Sequence, residues 1–280
     1  MCVPMCQKKM AEIALNRRNF LKAVGGAAAA ATASMMAAPV MADEKMFSPM
    51  NVRINKVVDL THTITTDFPT YSGKPYYTTD LAITLAKDGY NVRSYNINDE
   101  HLGTHMDAPF HFSDKATADE IPVENLIGPL AIIDIIDKAS KDPDALVTPD
   151  DLKRYERRWG RIPFGAIVAM NSGWDALVAT PKFRGADDKG GMHFPGFGLE
   201  AVKWLLEMRN VKGIMVDTLS LDYGPSSKFD VHYTWLPAGR WGMENVANLS
   251  KLPARGATVI AGGPKYKGAT GGPSRVIALI

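Results

Sequence analysis

Cysteine is almost missing from this chain. Two of its 280 residues are cysteine, Cys2 and Cys6, too few for a disulfide scaffold or an all-cysteine zinc site. An excess of charge is missing too: 32 Lys+Arg stand against 30 Asp+Glu, a formal +2. That balance gives no nucleic-acid footprint, which would need a basic face or stripe. There is no Gly-x-Gly-x-x-Gly and no Gly-Lys-Ser/Thr loop, so the fingerprints that cradle phosphates on backbone N–H groups are lacking. The apolar run Ala23–Ala38 has 16 residues, is mostly alanine and contains two glycines, which is short and weak for a membrane span. No repeat and no low-complexity linker follows Ala42. What remains is 46% apolar and 22% charged, ordinary for a folded chain and unlike a disordered or fibrous one. The length allows one or two domains with a sizeable core.

Residues 1–42 read as an address. Arg17-Arg18-Asn19-Phe20-Leu21-Lys22 precedes the alanine-rich run, and Pro39-Val40-Met41-Ala42 offers small residues for cleavage. A positive segment, an apolar segment and a small-residue site in that order make a secretory signal. The paired arginines with Phe-Leu-Lys resemble a twin-arginine export signal, and Met10 is an alternative start that would shorten the positive segment. The expectation is export to the periplasm through the twin-arginine machinery, cleavage near Ala42 and no stable membrane anchor. Residues 43–280 would then form one catalytic domain. The leader takes Lys8, Lys9, Arg17, Arg18, Lys22 and Glu12 with it. Cations fall from 32 by 5 to 27 and anions from 30 by 1 to 29, so the domain carries −2. Both cysteines leave as well.

Strand-like runs occur at 53–60, 79–85, 91–98, 129–135, 166–171, 213–217, 257–261 and 275–280. Two helices are signalled. Thr148-Pro149-Asp150-Asp151 supplies a cap, an N1 proline and early acids before 152–159. The stretch 198–209 places Leu199, Val202, Leu205 and Leu206 on one face. Strands interleaved with helices point to a single α/β domain.

The chemistry gathers near residue 105. Three of the six histidines fall within eleven residues, as His101-Leu102-Gly103-Thr104-His105-Met106-Asp107-Ala108-Pro109-Phe110-His111. Imidazole and carboxylate suit borderline divalent ions such as zinc or manganese. Groups from one short segment close on an ion at low entropic cost, and clustered His and Asp are the standard first indication of a metal site. Gly103 and Pro109 argue against a helix and for a strand-to-turn edge. Asp107 has two oxygens and is able to bridge two ions. His232 and Glu244 are the remote candidates for a second ion, while His62 and His193 read as structural or pocket-edge residues.

The run His101–His111 resembles the His-x-Gly-Thr-His-x-Asp-x-Pro-x-His signature of the cyclase-like metal-dependent hydrolases, the family of bacterial kynurenine formamidase and isatin hydrolase. Asp59-Leu60-Thr61-His62, Asp217-Thr218-Leu219-Ser220-Leu221-Asp222, His232 with Glu244-Asn245-Val246, and Thr270-Gly271-Gly272-Pro273-Ser274-Arg275 extend the likeness from about residue 52 to the C-terminus. The resemblance implies a swivelling β/α/β domain assembled as a homodimer or larger. It implies a first ion on His101, His105 and Asp107, and a second, where present, on Asp107, His232 and Glu244. His111 would be the general acid/base. Kynurenine formamidases carry Pro-x-Trp-Pro-Gly in the pocket loop where this chain has Pro69-Thr70-Tyr71-Ser72-Gly73, so the resemblance does not name the substrate.

The expected reaction is hydrolysis of a small aryl-formamide or cyclic amide. An ion-activated water attacks the carbonyl, and His111, with an ordinary pKa near 6.5, moves the proton to the leaving nitrogen. Tyr71 and Ser220 are candidates for orienting the substrate, or for packing and structural hydrogen bonding alone. Two other readings stay open: a cyclase or dehydratase of a small carbonyl compound, and an exported metal- or ligand-binding protein without catalysis.

Overall fold

The computed structural model describes residues 54–263 and 265–280. The export signal and its cleavage site lie outside them. In chain order the strands are β1 (Val57–Asp59), β2 (Tyr77–Ile83), β3 (Val92–Ile97), β4 (His105–Asp107), β5 (Ile127–Asp134), β6 (Leu146–Val147), β7 (Ala166–Asn171), β8 (Gly196–Phe197), β9 (Val211–Val216), β10 (Trp241–Glu244), β11 (Arg255–Gly262), β12 (Gly271–Pro273) and β13 (Arg275–Leu279). The α-helices are α1 (Leu85–Asp88), α2 (Ile136–Ala139), α3 (Pro149–Trp159), α4 (Leu199–Met208) and α5 (Asp230–Trp235).

Nine strands form one sheet in the order β1-β13-β11-β5-β7-β9-β10-β4-β12. Its centre, β5-β7-β9-β10, is parallel. The flanks are antiparallel. Only Ser274 separates β12 from β13, yet the two strands pair near opposite ends of this order. A sheet whose ends are joined by one residue must curl. The seam is held by the Leu60 N–H donating to Val276 O and the Ala247 N–H donating to Leu60 O, each at 2.9 Å.

Period-two alternation divides each central strand between two cores. Ile133, Val168, Met170, Ile214 and Val216 face α3 and α4, meeting Leu152, Tyr155, Val202 and Leu205. Leu130, Ile132, Ile167, Ala169 and Met215 face the inside of the curl, meeting Met106, Met243, Val259, Val276 and Ala278. Strands β7 and β9 are buried at every residue, as parallel strands covered on both faces require.

The expected α/β architecture is present, with shifted boundaries. The run 53–60 pairs only over Val57–Asp59, while the capped helix starts at its expected N1 proline, Pro149, and ends at Trp159. At its start the Thr148 hydroxyl accepts the Asp151 N–H, and the Asp151 carboxylate accepts the Thr148 N–H at 2.7 Å. Such a reciprocal cap contributes about 1 kcal/mol. Of the short strands β4, β10 and β12, the sequence pointed only to β4, as the strand-to-turn edge of the histidine run. Each is three or four residues long, below the length at which alternation is a signal, and all three border the site.

Candidate active site

The site is built on β4. His105 and Asp107 are two residues apart and share one face of the strand, while Met106 points into the core. Across the ladder, Glu244 stands opposite His105, and Asp107 is flanked by Gly242 on β10 and Gly271 on β12. Gly271 is required by close approach: a Cβ there would lie 2.1 Å from Met106 O and 3.0 Å from the His101 ring. Gly103 turns the chain into β4 with φ +64, and a Cβ on it would meet Ile64 at 2.6 Å. Glu244 ends parallel β10, and Ser220 follows parallel β9, so the site opens where the parallel strands finish.

All five expected ligands converge. His101 Nδ1 lies 2.8 Å from Asp107 Oδ1. His105 Nε2 lies 3.5 Å from Asp107 Oδ1 and 3.2 Å from Glu244 Oε2. His232 Nε2 lies 3.6 Å from Asp107 Oδ2 and 3.3 Å from Glu244 Oε1. Two groups of three have donor atoms within 4.8 Å of one another: His101–Asp107–His111 and His105–Asp107–Glu244. Asp107 belongs to both. The resemblance grouped these residues differently, with His105 beside His101 and with His111 outside the ligand set.

The donor set fits a divalent ion. His105 Nε2 and Asp107 Oδ2 are buried without a hydrogen-bond partner, which is costly unless something else coordinates them. Borderline nitrogen and hard oxygen donors together suit zinc or manganese.

Hydrogen bonds behind the cluster aim the rings. His105 Nδ1 lies 2.9 Å from Gly103 O, which also accepts the Asn245 Nδ2–H at 2.9 Å. His232 Nδ1 lies 2.7 Å from Asp222 Oδ2. Asp222 also accepts the backbone N–H groups of Val231 and His232 at 3.0 and 3.1 Å. Each contact leaves the opposite ring nitrogen facing Asp107 and Glu244, the usual arrangement for metal-binding imidazoles.

Electrostatics follow from burial and crowding. Burial opposes a charge on His105, but the Glu244 carboxylate 3.2 Å away and Asp107 outweigh it and push its pKa up to about 9. Burial likewise opposes charge on His232, and Asp107, Asp222 and Glu244 together raise its pKa well above the ordinary value. Burial also opposes charge on Asp107, yet the His101 and His232 imidazoles beside it hold its carboxyl well below the usual range. His111 behaves in the opposite way. Burial drives its pKa down to about 4, against an upward pull from Asp107. The ordinary value of 6.5 assumed from the sequence therefore does not apply, and the imidazole is neutral at pH 7.

His111 lies in the 3-10 turn Pro109–Phe112. Its ring stacks on His101 at 4.0 Å and stands 6.1 Å from His232. The cluster forms the floor of a cavity of about 290 Å³, at the small end for ligand pockets. Its walls include Tyr71, Tyr76, Phe112, Leu219 and Phe229. Tyr71 and Ser220 both line it. Burial, then Glu244, raises the Tyr71 pKa, keeping its phenol neutral. Phe229 sits 6.0 Å from Tyr71 and 5.9 Å from Phe112, in the left-handed region at φ 51, ψ 44. That conformation is uncommon for a bulky residue, and it sets the ring in the cavity wall.

His62 and His193 stand apart. His62 packs between Phe68 and Phe183, and His193 bonds Asp144 at 2.8 Å on a loop. Sequence reasoning noted Asp222, Asn245 and Thr270 inside motifs without assigning them work. Phe229 and Glu100 carried no signal, apart from the adjacency of Glu100 to His101.

Comparison with known proteins follows the same lines. Residues 58–223 match the family model described as "Putative cyclase". An isatin hydrolase of Roseibium aggregatum is 35% identical over 192 residues, covering 65% of this chain and 72% of its own. A kynurenine formamidase of Bordetella petrii is 26% identical over 195 residues, covering 69% of this chain and 83% of its own. The solved structure of isatin hydrolase A from Labrenzia aggregata, bound to benzyl benzoate, superposes with a TM-score of 0.75 at 32% identity, over 80% of this chain and 93% of that chain.

Proposed function

Because the chain belongs to the putative cyclase family, we propose that it is a metal-dependent hydrolase that opens the C–N bond of a small cyclic amide or aryl-formamide. The observation that carries this reading is one pocket holding a five-residue ligand cluster, a neutral imidazole and an aromatic wall. His101, His105, Asp107, His232 and Glu244 would hold zinc or manganese, and the two carboxylate oxygens of Asp107 suit two ions as well as one. When bound, such an ion acidifies water and polarises a carbonyl. The remaining steps fall to side chains. Neutral His111 takes a proton from the attacking water and returns it to the leaving nitrogen. Phe229, Phe112 and Tyr71 hold a flat ring, and their apolar faces exclude bulk water. Ser220 and the Tyr71 hydroxyl supply polar contacts that set orientation.

The test combines metal analysis with a panel of formamides, isatin-like lactams and cyclic imides, scored for carboxylate and amine products. His105→Ala is expected to lose metal and activity together. His111→Ala is expected to keep metal and lose about 10²–10⁴-fold in turnover. Wild-type turnover in the His111 variant would remove that residue from the chemistry. Cyclised or dehydrated products would support the cyclase alternative, and metal binding with no turnover would support a binding protein.

The proposal includes export to the periplasm through the twin-arginine machinery, supported by Arg17-Arg18 and the alanine-rich run that follows. It also includes self-association as a homodimer or larger assembly. The β2–β3 ribbon supports this. One of its faces carries Leu81, Tyr95 and Ile97, each at least 45% exposed. A two-stranded ribbon is marginal alone in water, so covering that face would stabilise it.

A further inference from the structure

His101 differs from the other histidines of the cluster in what holds its far side. His105 faces a backbone carbonyl and His232 faces a carboxylate. His101 Nε2 instead lies 2.9 Å from the hydroxyl of Thr270, 169 residues away. That hydroxyl in turn bonds Glu100, the residue beside His101. The same Glu100 oxygen accepts the Thr270 N–H at 2.8 Å. Thr270 is anchored again through its carbonyl, which accepts the Ala108 N–H at 2.8 Å. The next residue, Gly271, presses its backbone against the imidazole edge. His111 stacks on the ring at 4.0 Å.

The direction of these hydrogen bonds is determined. A carboxylate only accepts, and a threonine hydroxyl has one proton to give. With that proton given to Glu100, the hydroxyl can only accept from the ring, so Nε2 carries the hydrogen. Nδ1 faces Asp107 Oδ1 at 2.8 Å, which makes it the ring nitrogen that would meet an ion. If Glu100 were lost, the hydroxyl would be free to donate to Nε2. That would put the hydrogen on Nδ1 and block the lone pair the cluster needs.

We propose that Glu100 and Thr270 are positioning residues, a relay that holds the Nε2–H of His101 and so presents Nδ1 as a ligand atom beside Asp107. The role rests on the reading of this cluster as a metal centre, and it assigns work to two residues outside the ligand set. It also explains why the C-terminal β12 segment docks against β4: the loop supplies the hydroxyl that the first histidine of the motif cannot obtain locally.

The experiment uses the full chain with ¹⁵N-labelled histidine. The His101 ring signals are assigned by their loss in His101→Gln. In metal-free protein the wild type is expected to keep a hydrogen on His101 Nε2. Thr270→Ser should keep it, because the hydroxyl remains. Thr270→Val is close in shape but has no hydroxyl, and Glu100→Leu removes the acceptor. Both should give mixed or Nδ1–H signals. Manganese and zinc affinities, measured by chelator competition, should fall about 10–100-fold in Thr270→Val and Glu100→Leu and stay near wild type in Thr270→Ser. Circular dichroism and thermal unfolding check the fold of each variant, and either the Val or the Leu substitution suffices if the other misfolds. A wild-type tautomer and unchanged metal affinity in Thr270→Val would overturn the relay, and so would an Nδ1–H tautomer in the wild type. If the wild type bound neither ion, the metal-centre reading would fall while the tautomer signals still decided the relay.

Discussion

Replacing Asp217 by asparagine should make the protein more stable at pH 8 while leaving it unchanged at pH 4. Asp217 follows β9 and is fully buried. Its Oδ2 accepts the N–H groups of Ser172 and Trp174 at 2.9 and 3.1 Å, and its Oδ1 lies 2.7 Å from the Ser172 hydroxyl. Burial outweighs these bonds, and nearby Asp175 adds to it, so the carboxyl is pushed up to about 7. With the unfolded value near 3.8, the pKa is raised on folding. The stability it contributes is therefore complete below pH 3.8 and is lost as pH rises to 7. Over roughly 3 pH units at about 1.4 kcal/mol each, the loss approaches about 4 kcal/mol. This is a ceiling, since relaxation around the charge reduces it. Asparagine has the same shape and preserves the network: its oxygen accepts both N–H groups and its NH₂ donates to Ser172. It does not titrate, so the loss disappears. Urea unfolding of both proteins from pH 4 to 8, with chelator present to equalise the metal state, gives the difference directly. Groups common to both proteins cancel. A stability difference that stays flat from pH 4 to pH 8 would refute the reasoning.

Other consequences are as specific. Phe229→Asn places a residue that tolerates the left-handed region at φ 51 but removes the ring from the pocket. KM for an aryl substrate should rise about fivefold, in line with the ~1 kcal/mol of an aromatic contact, while kcat and the unfolding midpoint stay close to wild type. An unchanged KM would take Phe229 out of the binding wall. Tyr95→Glu puts a charge on the exposed ribbon face and should convert the proposed homo-oligomer to monomers in sedimentation equilibrium. An oligomer of unaltered mass would mean that the ribbon is not the interface.

The −2 expected for residues 43–280 averages over local features that sequence alone does not resolve. Exposed Lys153, Arg154, Arg157 and Arg158 gather on α3, although Arg154 bonds Asp151 at 2.5 Å. Of the buried carboxylates, Asp151 lies on α3 itself, while Asp107, Asp217, Asp222 and Glu244 lie elsewhere. Net charge is additive along the chain, but the position of each charge depends on the fold.

The sequence by itself determined the local chemistry. Gly103, Pro109 and the short spacing of His101, His105, Asp107 and His111 are enough to recognise ligand-bearing strand edge and turn, because the groups are adjacent in the chain and need only local geometry to meet. It also determined α3, α4 and the strands β5, β7 and β9, whose apolar runs are long enough to be read. Tertiary structure alone decided the rest. Glu244 meets His105 because β10 pairs with β4, Thr270 reaches His101 because β12 lies on the other side, and His232 turns inward because Asp222 holds it. These contacts span up to 169 residues, and the strands that make them are too short to announce themselves. Burial decided the protonation of His111 and Asp217 for the same reason. A residue's ordinary pKa is a property of its type, whereas the cost of placing its charge away from water depends on everything the fold packs around it.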